Sequence, residues 1–220
     1  MNVVAPGITL EDYNSGKAKP IDLFEGRIKH WILSYAKHLA HDYEEKQDAG
    51  IAVLILTAAI IQPLGAVLPP AKGRKSNEAI FCNGFIRVFP EVPGTEDAWK
   101  LAERVCDLLR NGLFHESFIK PGLALRFQDE PISEKDGVIY IDPVRFLDAV
   151  ESVFSQVCDE IRNAEDGSPI REAFDSYWNQ KAMEQAKRVD PTFKIQSDSG
   201  TTLSTSTLAP IFPDTLIKKM

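Results

Sequence analysis

The sequence predicts an all-α fold, with one domain over residues 1–190 that forms a bundle of about five main helices with a small inserted β-hairpin. Apolar residues recur at three- and four-residue intervals in several long stretches, which is the pattern of helices with one buried face. Only two short stretches alternate apolar and polar residues as strands do. Residues 191–220 contain a Ser/Thr-rich stretch without a periodic apolar face, so we expect a flexible tail there.

The first two helices are expected at residues 22–45 and 49–62. Asp22 can cap the first helix, with Glu25 completing a capping box. The second helix is almost wholly apolar and should end before Pro63, because a proline inside a helix removes a backbone hydrogen bond. The short break between the two helices predicts an antiparallel hairpin. The apolar stripe of the first helix consists of Phe24, Ile28, Trp31, Ile32, Tyr35 and Leu39.

A loop rich in proline and glycine is expected at residues 63–76. It carries the basic residues Lys72, Arg74 and Lys75, which are candidates for contacts with phosphate groups. The alternative is that they belong to an ordinary solvated connection. For residues 77–89 the pattern leaves both a short helix and irregular structure open.

A further helix is predicted at residues 96–115, packed against a helix at residues 143–163 or against the first helix at 22–45. Gly112 weakens its end, so we expect the last turn to tighten or to break there. The packing face of this helix consists of Leu101, Val105, Leu108 and Leu109.

Two alternating stretches, residues 123–127 and 138–141, predict a β-hairpin joined by the long polar loop 128–137. The pair Asp142–Pro143 has the residue types of a helix N-cap and of the first helical position. The pair Ser168–Pro169 signals the start of another helix, which should run to about residue 188.

Composition excludes some classes of protein. The formal charge of −7 argues against a protein that coats nucleic acid, although one local positive site would suffice for an RNA-cleaving enzyme. The apolar run at residues 51–61 is too short to cross a membrane, and no leader peptide is evident, so we expect a cytoplasmic protein. The scattered cysteines predict free thiols in the core of a protein from a reducing compartment; they are Cys82, Cys106 and Cys158.

The most informative motif is the stretch that holds Arg110, Asn111 and His115 at the end of a predicted helix. Histidine can exchange a proton near neutral pH, and the arginine fork matches two phosphate oxygens. A carboxamide can orient either group by hydrogen bonds. Together these groups suit metal-independent cleavage of a phosphodiester. The alternative is a helix C-terminus stabilised by basic side chains, with Asp107 or Glu116 as structural partners of the arginine.

This motif resembles the Rx4–6H signature of the HEPN family (higher eukaryotes and prokaryotes nucleotide-binding domains), which often has a polar residue after the arginine. The resemblance implies a helical bundle with Arg110, Asn111 and His115 as the catalytic residues of a metal-independent endoribonuclease. It further implies a homodimer that brings two motifs to one cleft, and a role in toxin or antiviral defence. Some members are controlled by adenylylation of a tyrosine two residues after the histidine, where this chain has Ser117.

The expected partners are therefore an RNA substrate, a second copy of the chain and an antitoxin or regulatory protein, without cofactor, metal or membrane. Some HEPN-like proteins keep the fold without cleaving RNA, so the alternative function is a non-catalytic module that binds a nucleotide or a protein. A second candidate site, the pair His38 and His41, has a spacing that would permit two metal ligands. Neighbouring lysines favour a solvated helix face for that pair instead.

Overall fold

The computed structural model describes residues 3–46, 49–70, 76–95, 97–116 and 120–189, and the fold is mostly helical with two small sheets. The expected tail at 191–220 lies outside the described residues. In chain order the elements are β1 (Val3–Ala5), β2 (Ile8–Thr9), α1 (Leu10–Asn14), α2 (Pro20–Ile28), a π-helix (Lys29–Leu33), α3 (Ser34–Lys46), α4 (Gly50–Ala66), α5 (Asn77–Val88), α6 (Ala98–Val105), a second π-helix (Cys106–Glu116), β3 (Leu123–Leu125), β4 (Ile132–Lys135), β5 (Val138–Ile141), α7 (Pro143–Asn163) and α8 (Pro169–Val189).

The predicted first helix is continuous from Pro20 to Lys46, but a π-helical segment interrupts its α-helical geometry. It begins earlier than expected, since Pro20 takes the first helical position and Asp22 accepts a hydrogen bond from the backbone N–H of Lys19 (2.9 Å). Leu23 is buried in a small separate cluster with Val4 and Ala5. The other buried residues recur at intervals of three and four, except for a step of five across the π-helix. They are Ile21, Phe24, Ile28, Leu33, Ala36, Ala40 and Tyr43.

That step of five displaces the predicted apolar stripe. A π-helix bonds residue i to residue i+5, which shifts the later residues around the helix axis. After the π-helix, the buried face therefore contains other residues than continuous α-helical spacing predicts. Trp31 and Tyr35, which the stripe placed in the core, are therefore 49% and 63% exposed.

Helix α4 does not stop at Pro63 as predicted but continues for one further turn to Ala66. This last turn packs against α5, which α4 crosses at very close range, with a glycine on each side. A Cβ added at Gly65 would lie 2.7 Å from the backbone nitrogen of Gly84, and one added at Gly84 would lie 2.8 Å from the nitrogen of Gly65. The stretch 77–89, which the sequence pattern left undecided, is a helix, and it packs against the last turn of α4.

The packing partners predicted for the 96–115 helix were wrong. It packs mainly on α4 and α5 rather than on the helices at 143–163 or 22–45. Three residues of its predicted face, Leu101, Val105 and Leu109, are fully buried, whereas Leu108 is half-buried. Its second half, Cys106–Glu116, neither tightens nor breaks but widens into a π-helix, which we call the motif helix.

The predicted hairpin between residues 123–127 and 138–141 is wrong in its pairing. Strand β3 runs parallel to β5, and the hairpin partner of β5 is β4, which lies inside the expected long loop. The turn of the β4–β5 hairpin is Asp136–Gly137, with φ of 52° and 77°, as two-residue hairpin turns with Asp-Gly adopt. The sequence pattern missed β4 because Ile132 is its one apolar residue.

The last two helices agree with the sequence. Asp142 caps α7 by accepting hydrogen bonds from Val144 (3.0 Å) and Arg145 (3.1 Å), and α8 spans Pro169–Val189. The α2, α7 and α8 helices meet in an aromatic cluster in the core. Its members are Phe24, Phe154, Phe174 and Tyr177.

The cysteines are free and buried, as predicted. Burial raises the pKa of Cys106 to about 11, and the nearby Arg110 charge lowers it only in part, so this thiol stays protonated at neutral pH. Over the described residues, no helix is both long enough and apolar enough to cross a membrane.

Candidate functional site

The guanidinium of Arg110 is held by two neutral carboxamides. It donates from Nη1 to Oδ1 of Asn111 (2.8 Å) and from Nη2 to Oε1 of Gln62 on α4 (3.1 Å). Within the part of the chain that the structure describes, no carboxylate forms an ion pair with it. These bonds orient the fork without neutralising its charge, so the side chain can still bind an anion.

A charged pair lies beside Asn111 on the motif helix. The carboxylate of Asp107 accepts a hydrogen bond from Nζ of Lys120 at 2.9 Å. This bond and the charge of Lys120, with a smaller contribution from Asn111, lower the pKa of Asp107. The pair of Asp107 and Lys120 is therefore intact at neutral pH and is lost only in acid, as the pH falls through that lowered pKa. Asp107 pairs with Lys120 and not with Arg110.

The π-helical geometry of the motif helix changes where positions 110 and 115 lie. In an α-helix, five residues turn the chain by about 140° beyond one full turn, which separates the two positions. In a π-helix the backbone N–H of residue i+5 bonds to the carbonyl of residue i, so positions five apart lie on the same face. The backbone thus places the Arg110 and His115 positions one π-turn apart on one face. The side chains of 113–116, including His115 and Glu116, lie outside the described residues.

Arg110 lies in the wall of a cavity of about 830 Å³. The cavity is bounded by the C-terminal half of α4 and the residues after it, by the N-terminal half of α5, and by α8. Its polar lining residues are Gln62, Asn77, Asn83, Arg110, Ser176, Tyr177, Gln180 and Lys181. Of these, sequence reasoning found Arg110 alone. Gln62 carried a weak signal, as a polar residue near the end of an otherwise apolar helix, while the α8 residues carried none.

The electrostatic character of this cavity is opposite to that of the chain. The whole protein has a formal charge of −7, yet the described lining residues include Arg110 and Lys181 and no Asp or Glu. Lys181 is engaged with Glu184 at 2.8 Å, which leaves Arg110 as the stronger anion-binding group. The basic residues Lys72, Arg74 and Lys75 lie outside the described residues, between Pro70 and Asn77 in sequence, which both line the cavity.

The structure gives no support to a metal site at His38 and His41. The Nδ1 atom of His38 lies 2.6 Å from the carbonyl oxygen of Ser34, one turn earlier on the exposed face of α3. Among the side chains that the structure describes, no group of three His, Cys, Asp or Glu residues is arranged to hold a metal ion.

Comparisons of the chain with protein-family models, with curated proteins and with solved structures give no match.

Proposed function

We propose that this protein is a HEPN-like, metal-independent endoribonuclease with Arg110, Asn111 and His115 as its catalytic residues. The observation that carries the proposal is the state of Arg110, whose guanidinium is oriented by two carboxamides, is paired with no carboxylate of the described residues, and lies in the wall of a cavity. A structural arginine at a helix end would be expected to bind the last backbone carbonyls or a nearby carboxylate, whereas the bonds described for Arg110 go to two carboxamides. A role in toxin or antiviral defence follows from the sequence resemblance alone.

The chemistry follows from the properties of these groups. His115 removes the proton of an RNA 2′-hydroxyl, whose oxygen attacks the adjacent phosphorus. Arg110 stabilises the charge that grows on the phosphoryl oxygens, and Asn111 holds its fork in place. The bond from phosphorus to the 5′-oxygen breaks, and a second imidazole protonates that oxygen. The products carry a 2′,3′-cyclic phosphate and a 5′-hydroxyl.

The proposal is tested by incubating the purified protein with single-stranded and structured RNA in EDTA. Cleavage that leaves 2′,3′-cyclic phosphate ends, and that depends on His115, is the expected result. If RNA stays intact while the protein binds it or a nucleotide, the non-catalytic binding module becomes the better account.

A homodimer is expected because the attacking 2′-oxygen and the leaving 5′-oxygen lie on opposite sides of the phosphorus during in-line displacement, so two imidazoles are better placed than one for the two proton transfers. Light scattering should give a mass of twice 24.5 kDa at micromolar concentration. Adding an excess of inactive His115→Ala chains to the wild type, after exchange of subunits, should remove most of the activity, since each mixed dimer keeps only one of the two imidazoles. A monomeric mass, or a wild-type activity that the added chains leave unchanged, would contradict the shared cleft.

The basic loop is expected to contribute affinity rather than catalysis. Replacing Lys72, Arg74 and Lys75 together with alanine should weaken RNA binding and flatten its dependence on salt, by up to about one unit of slope for each phosphate that the loop no longer binds. The rate at saturating RNA should change little. An unchanged salt slope, measured by fluorescence anisotropy, would show that the loop is an ordinary solvated connection.

A further inference from the structure

The cavity beside Arg110 has the size and composition of a site for a polar heterocycle. Its volume of about 830 Å³ lies within the roughly 300–1,000 Å³ typical of small-molecule sites. The aromatic ring of Tyr177 and several small aliphatic side chains line it, and such surfaces accept the flat face of a base. The aliphatic lining residues are Ala58, Ala59, Ala66, Leu68 and Ile80.

Hydrogen-bonding groups surround these apolar surfaces in fixed positions. Gln62 uses its Oε1 to accept from Arg110, so the group it offers to a ligand is its NH₂. Asn83 uses its NH₂ to bind two backbone carbonyls of the 65–69 segment, at 3.1 and 3.3 Å, so it offers its Oδ1. One donor and one acceptor of this kind match the neutral edge of a nucleobase, which carries both.

The interior proline of α4 provides a third group. Pro63 has no N–H, so the carbonyl of Ala59, four residues earlier, lacks its usual helical partner. Both residues line the cavity. A helix carbonyl that lacks its N–H partner, in a residue that lines the cavity, is a candidate acceptor for the exocyclic amine of a base.

Resting on the function proposed above, we infer that this cavity holds one nucleobase of the RNA substrate while Arg110 contacts the phosphate attached to the same nucleotide. Carboxamides in the lining recognise an uncharged edge, and Arg110, the stronger of the two cations in the described lining, lies at the motif end of the site. This division of neutral and cationic groups fits a nucleoside monophosphate unit, and it gives the enzyme a preference for certain bases.

The test uses calorimetry of the full chain in EDTA with the four nucleoside monophosphates and their nucleosides. At least one nucleotide should bind at least tenfold more tightly than its nucleoside, and Arg110→Gln should abolish that difference. Ser176→Phe and Gln180→Phe place a bulky ring at two exposed lining positions and should each weaken binding at least tenfold. Ser152→Phe is the matched control at an exposed α7 position outside the cavity lining, and should bind as the wild type does.

A competition experiment shows whether the bound base can come from RNA. A 2′-O-methyl RNA oligonucleotide, which lacks the attacking hydroxyl, should displace the bound nucleotide. A nucleotide that remains bound at saturating oligonucleotide, or no nucleotide binding at all, would overturn the inference. Displacement without any cleavage of ordinary RNA would contradict the proposed endoribonuclease activity but support the nucleobase site. RNA cleavage with an unchanged base preference in both phenylalanine variants would support the endoribonuclease activity but contradict the nucleobase site.

Discussion

His115→Ala is expected to lower the rate of RNA cleavage by at least about 10²-fold, the usual scale for a general acid–base residue. The physical reason is that no other described group near Arg110 can take the proton. Asp107 is held by Lys120, and the pKa of the Cys106 thiol is about 11. Single-turnover cleavage of a labelled RNA measures the effect, with His38→Ala on the exposed face of α3 as the matched control.

The arginine series separates the roles within the motif. Arg110→Lys should also lose most of the activity, because an ammonium group cannot bind two phosphoryl oxygens in a fixed plane. Asn111→Ala should cost less, since it removes an orienting bond of 2.8 Å and not a reacting group. Wild-type rates should pass through a maximum at a pH around 6.5, because one imidazole must be neutral to act as the base and the other protonated to act as the acid. A His115→Ala chain that cuts as fast as its parent would remove the motif from the mechanism.

Gly84→Ala is expected to destabilise the fold by roughly 3 kcal/mol, the upper part of the usual range for overpacking. The added methyl would meet the backbone of α4, which no side-chain rotation can relieve, so the two helices must separate. For a chain of this length that loss corresponds to a fall in Tm of about 6–12 °C. Calorimetry or circular dichroism measures it.

The same substitution elsewhere provides the control. Gly26 lies inside α2, where an added Cβ would be 3.4 Å from the Cβ of Ala5, an ordinary contact. Gly26→Ala should leave the stability unchanged or raise it by up to about 1 kcal/mol, because alanine favours the helix. Equal effects of the two substitutions would show that the crossing of α4 and α5 is looser than described.

The sequence was most informative where local chemistry decides the structure. The Asp142–Pro143 start of α7 and the Ser168–Pro169 start of α8 depend on neighbouring residues alone, and both were predicted. The π-helix at Lys29–Leu33 was missed because a search for α-helical spacing cannot register a step of five. Strand β4 was missed because its pairing with β5, and not its own apolar content, makes it a strand.

The candidate site divides in the same way. Arg110, Asn111 and His115 were found because they are close in sequence and have distinctive chemistry. Gln62 lies 48 positions before Arg110 in the sequence. Tyr177 lies far after Arg110, on α8. These residues meet only through the packing of α4, α5 and α8, which no local pattern encodes. The cavity therefore could not be predicted, although one residue in its wall was.

The glycine crossing of α4 and α5 has a consequence for the energetics of ligand binding. Two helices in direct backbone contact open only as one cooperative unit, and their amides should be among the slowest of the chain to exchange with solvent. Both helices form walls of the cavity, so its shape exists before any ligand arrives. A preorganised site loses little conformational entropy on binding, and more of its contact energy remains as affinity.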